Sequence, residues 1–198
     1  MLRWALELSR QRRARKAAVA AIAPIVEGSR QRLGGISDIA WSDPYVIGFL
    51  VMLISIIARM ESGRISADSM CTVQWRARED ITAAESDIIA EQLLLLSTDR
   101  NRDFEQGCSN AAAFSTILFD SETLPEGVGL ANLQKWVSKL DDDLAGGFAQ
   151  REDVAAAWAQ FFDAHILALA EMTHAQNDTW TPHCALRVPA RMHCSPRG

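Results

Sequence analysis

Asp141, Asp143 and Glu152 occupy positions one, three and twelve of the stretch DDDLAGGFAQRE, and Gly146 stands at position six. A calcium loop between two helices takes carboxylates at those places, a backbone carbonyl at seven and a glycine at six for the sharp turn. Gly147 would give the carbonyl and Phe148 the apolar eighth residue. Ala145 and Ala149 leave positions five and nine without a ligand, and no second loop of this kind pairs with it. Calcium here would rest on Asp141, Asp143 and Glu152, with water filling the place of Ala145. The favoured reading is plainer. Gly146 or Gly147 ends one helix in the left-handed conformation, and Glu152 and Asp153 meet the positive N-terminal end of the next.

Two other groupings have metal-ligand chemistry. Glu171-x-x-His174 has the spacing of di-iron helical bundles, in which both side chains leave one face of a helix. Those sites need a second such pair and two further carboxylates, and no second Glu-x-x-His is present. In the C-terminal segment His183-Cys184 and His193-Cys194 are adjacent pairs. Zinc takes four ligands, and neighbours in an extended chain point to opposite sides, so each pair would give one. The spacing matches no zinc module, and no cofactor is expected.

The remaining candidates are bland. His165 lies on an apolar helical stripe beside Phe161 and Leu169, as a core or rim histidine would. Cys108 falls in a core phase, where cysteine behaves as a small hydrophobe. There is no glycine-rich phosphate loop, nucleophile elbow or Ser/His/Asp order. The basic run RQRRARK, residues 10–16, could meet phosphates or an anionic membrane surface.

Charge is split along the chain. Residues 1–32 hold eight Arg or Lys against Glu7 and Glu27, whereas residues 33–178 hold nine bases against 23 acids. An acidic body of that size opposes nucleic acid, and a basic arm suits an acidic partner or this chain's own body. The four cysteines are too few and scattered for a secreted disulfide framework, which points to a reducing cytoplasm. The N-terminal segment only loosely mimics a signal peptide: its basic part is long and contains Glu7, and Pro24 follows the Ala21-Ile22-Ala23 candidate cleavage site.

The elements that must position these residues are helical. With 198 residues, 48% hydrophobic but only 7% aromatic, the chain suits one domain rich in good helix formers. The first 32 residues read as a basic helix bent at Pro24 and closed by Gly34-Gly35. The apolar run VIGFLVMLISIIA has thirteen residues, short of the roughly 20 that span a bilayer, so it reads as a core helix. Ser42 or Asp43 would cap it, Pro44 fits its first turn and Gly63 stops it. Gly48, Met52, Ser55 and Arg59 form its less apolar stripe.

Ser66 caps a short helix through Trp75, and Thr82 with Glu85 forms a capping box for the next. Phe104, Gly107, Cys108, Ala111, Ser115 and Leu118 mark another helix, Leu130 to Leu140 a further one. Val154, Trp158, Phe161, His165, Ala168 and Met172 give the stripe of the last, over 152–175. Residues 177–198, with three Pro and no periodicity, read as an extended tail.

The sequence therefore predicts an all-α single-domain bundle of six to seven helices: a basic N-terminal helix over 1–35, a core over 36–176 and an irregular tail. Its expected role is non-enzymatic, a protein-protein interaction or self-assembly module. Metal binding, at Asp141, Asp143 and Glu152 or at Glu171 and His174, is the alternative. Membrane-surface or nucleic-acid contact through residues 1–32 is the second.

Overall fold

A computed structural model describes residues 2–83, 96, 99–119 and 151–178. Among them every regular element is helical, as composition and periodicity predict: α1 (Leu2–Leu33), α2 (Asp38–Trp41), α3 (Pro44–Ser62), α4 (Ala67–Thr82), α5 (Arg102–Leu118), α6 (Glu152–Trp158) and α7 (Ala164–Asp178). A π-helical turn, Ala159–Asp163, joins the last two without a break.

Each boundary has a local cause. Gly34 and Gly35 both take positive φ after α1, and the Gly35 amide donates back to the Arg30 carbonyl at 2.8 Å. Pro24 lies inside α1 without ending it. Asp43 caps α3: one carboxylate oxygen accepts from the amides of Tyr45 and Val46, while Pro44, which has no amide hydrogen, takes the first position. Asn101 caps α5 in the same way.

The second half of α4 departs from the pattern. The helix expected to stop at Trp75 runs on to Thr82. Thr82 is the last residue of α4, and its hydroxyl donates to the Arg78 carbonyl one turn back. The helix runs past Trp75 because Met70, Val73, Ala77 and Ile81 continue one buried face; Glu85, the other half of the expected capping box, lies outside the described residues.

α3 is the central element, with α1, α4 and α5 packed around it. It is the one described helix long and apolar enough to cross a bilayer, yet 61% of its apolar window is buried inside the bundle. Its partner α5 approaches so closely that a Cβ on Gly48 would strike the Phe104 carbonyl, and one on Gly107 the backbone of Tyr45 and Phe49. Gly48, on the less apolar stripe of α3, is thus a point of backbone contact with α5.

Beside that contact Phe49 lies 6.0 Å from Phe114, 5.8 Å from Phe162 and, edge-on, 5.6 Å from Trp158. These rings join α3, α5 and α6 in one aromatic core.

The π turn decides what α7 shows to solvent. An inserted residue rotates everything after it by about 100°. The stripe begins at Val154 and Trp158 as expected, then moves on by one residue to Phe162 and Ile166, with Leu169 half-buried. Ala168 and Met172, expected in the core, are exposed.

Candidate functional site at the π turn

The widened turn frees backbone groups and brings two polar clusters to the junction of α1, α3, α5 and α7. The first is buried. Ser29 on α1 donates to Asp163 at 2.5 Å and accepts the Trp158 indole N–H at 2.7 Å. Arg32, one turn along α1, closes on the other Asp163 oxygen through Nε and Nη2, at 3.1 and 2.7 Å. The buried carboxylate thus has a cation and a hydroxyl donor. The indole donor is satisfied, as a fully buried Trp requires.

The second cluster reaches the surface. The Tyr45 hydroxyl donates to the Phe161 carbonyl in the π turn at 2.7 Å and accepts from the Asn110 amide at 2.8 Å. The His165 ring stacks on Tyr45 at 4.0 Å, and its Nε2 lies 2.9 Å from the Asp43 carboxylate oxygen that caps α3. Burial pushes the Asp43 carboxyl up. The hydrogen bond and charge of His165, with the Val46 and Tyr45 amides, outweigh that and leave it below the usual range. Burial raises the Tyr45 phenol, against the Asn110 hydrogen bond.

An imidazole oriented by a carboxylate is half of an acid–base apparatus. The other half is a nucleophile in reach, and among the described residues no Ser, Thr or Cys side chain bonds to His165. The cluster is an architectural clamp: it satisfies the π-turn carbonyl and ties α7 to the start of α3. His165 is half-buried, at the rim of the bundle.

The metal candidates are not brought together among the described residues. Glu152 is exposed in the first turn of α6, beside the Arg151–Asp153 ion pair. Asp141, Asp143 and Gly146 lie outside the described residues, as do His183, Cys184, His193 and Cys194. Glu171 is exposed on α7, and the His174 side chain is outside the described set. No group of three or more His, Cys, Asp or Glu side chains converges among the described residues. Cys108 is half-buried, with its thiol donating to the Gly48 carbonyl at 3.4 Å; burial raises its pKa.

Sequence reasoning missed Arg78. Its residue is only 1% exposed and its Nη2 donates to the Trp41 carbonyl, while Nε and Nη1 have no hydrogen-bond partner among the described residues. Burial pushes its pKa down to about 10. Its position carries a signal all the same: Arg78 stands three residues before Ile81 and four before Thr82, on the buried side of α4, beyond the Trp75 at which that helix was expected to stop.

The described fold is therefore an all-α bundle with a polar clamp at a π turn. Comparisons with protein-family models, characterised proteins and solved structures find no match.

Proposed function

We propose that this chain is a non-enzymatic self-assembly module, acting in the cytoplasm, that pairs with a second copy through the outer face of α7. One observation carries the reading: α7 is apolar on two opposite sides. Ile166 and Leu169 face the bundle, while Leu167 is 50% and Met172 54% exposed on the far side, with Ala164 and Ala168 in the same row. Ala164, Leu167, Ala168 and Met172 follow the three-and-four spacing of one helical face, on which Glu171 is a charged, exposed side chain. A helix with apolar side chains on its outer face as well as its bundle face has room for a second helix against it.

The alanines let a neighbouring backbone come near, and Leu167 and Met172 supply the projections that fill its grooves. The same row on a second copy is self-complementary about a two-fold axis, the usual geometry of small homo-oligomers. The free thiols of Cys71 and Cys108 suit a reducing compartment. Light scattering on wild-type protein and on a Leu167→Glu/Met172→Glu variant tests the reading. Both positions are exposed, so the variant keeps its fold and loses only the pairing. A protein partner other than a second copy is the outcome in which the wild type is monomeric but captures a heterologous chain through the same row.

A further inference from the structure

The first turns of α1 differ from the rest of the helix. From Ala14 onward one face of α1 is buried against α3 and α4. Before that the helix runs past the bundle, and Trp4, Ala5 and Leu6 are exposed in succession, Trp4 at 71% and Leu6 at 57%. Successive residues of a helix are about 100° apart, so these three alone cover more than half its circumference. The tip is apolar over more than one stripe, with Glu7 on its remaining side toward Ser66 and Ser69.

The turn behind it is also tied to the bundle. Glu7 accepts from the Ser66 amide at 3.0 Å and the Ser69 hydroxyl at 2.7 Å, Gln11 donates to Ser69 at 2.7 Å, and Ser62 donates to the Arg10 carbonyl at 3.0 Å. Further along, Arg15 grips both oxygens of Asp80 at 2.6 Å.

Behind the tip stands a collar of exposed cations from three places: Arg10, Arg12, Arg13 and Lys16 on α1, Arg64 after α3, and Arg76 on α4. The acids nearest to it are largely engaged, Glu7 by the serines and Asp80 by Arg15; Asp68 and Glu79 stay exposed on α4.

We propose that the α1 tip and its collar form a peripheral binding surface for anionic phospholipid bilayers. The tip enters the headgroup–acyl boundary and the collar meets the phosphates. An apolar end exposed on several sides is surrounded by lipid more completely than by one protein groove, which covers one side. Each collar cation near a negative surface strengthens partition by about fivefold, and Trp favours the interface. Nucleic acid would use the collar but leave Trp4 and Leu6 in water. The proposal does not rest on the α7 reading.

The test is co-sedimentation of the full chain with phosphatidylcholine vesicles, with and without about one third phosphatidylserine, at rising salt. The expected result is binding to the mixed vesicles only, weakened by salt. Trp4→Ser/Leu6→Ser should cut it at least tenfold, and Arg12→Glu/Arg13→Glu/Lys16→Glu should abolish it. Circular dichroism of both variants, which alter only exposed side chains, should be unchanged. Equal binding to neutral and mixed vesicles, or to neither, overturns the proposal. So do undiminished binding by the Trp4/Leu6 variant and tighter binding to duplex DNA than to the mixed vesicles.

Discussion

Gly48 and Gly107 are the points at which α3 and α5 run into backbone contact. A methyl group on Gly48 would enter the Phe104 carbonyl, and one on Gly107 would enter the Tyr45 carbonyl and lie 2.9 Å from the Phe49 amide nitrogen. Backbone cannot swing aside as a long side chain does, so either substitution must part the helices. Gly48→Ala or Gly107→Ala is expected to cost about 3 kcal/mol, the upper part of the range for overpacking. Urea unfolding measures it; a midpoint within error of wild type would show that the contact is looser than described.

The same contact holds the π turn in place, because Asn110 and Tyr45 lie beside it and fasten the Phe161 carbonyl. At the buried end of that turn Ser29 donates to Asp163 and accepts from both Trp158 and Arg32. Ser29→Ala leaves the Trp158 N–H without an acceptor and removes one donor from Asp163. The expected cost is about 2 kcal/mol, set by desolvated groups left unpaired. Thermal unfolding checks it, and a neutral effect would place water in that network.

Asp43 links this clamp to pH. Its carboxyl titrates below its unfolded value of about 4, so its stabilisation is fully present above that value and is lost as pH falls through the lower folded value. Asp43→Asn keeps an acceptor for the α3 cap yet removes the charge. Stability of the variant should fall less steeply than wild type below about pH 4. Denaturant midpoints across that range decide it; parallel curves would mean that Asp43 has no part in the acid response.

Arg78 is a buried cation with two nitrogens unpartnered among the described residues, a costly arrangement. Arg78→Met, similar in length and apolar, should leave stability unchanged or raise it by about 1–3 kcal/mol. Arg78→Ala should lower it by about 3 kcal/mol, since it opens a cavity under Trp41. Calorimetry of the two variants separates charge from volume. A large loss with methionine would mean that the guanidinium is compensated.

Most of the helical frame was legible in the sequence because its signals are local. Asp43, Pro44 and Gly63 bound α3, Ser66 starts α4, and the spacing from Phe104 to Leu118 draws α5. The stripe of the last helix was legible only to Trp158. A π turn leaves no residue signature, so a stripe read at 3.6 residues per turn assigned Ala168 and Met172 to the core one position too early. The clamp was hidden for another reason: Asp43 and His165 are 122 residues apart, and Ser29 and Asp163 134 apart, and no periodicity reports such pairings. The tip of α1 lies between these cases. Its composition was visible, but its overhang depends on where α3 ends and α4 begins.

Oligomer mass tests the central claim most directly, since it reads the pairing of α7 without a ligand or an assay. Multi-angle light scattering should give wild-type protein a mass of at least two chains, and Leu167→Glu/Met172→Glu the mass of one, with an unchanged circular dichroism spectrum. A wild type that stays at one chain while capturing no partner through α7, or a double variant that assembles as the wild type does, would contradict it.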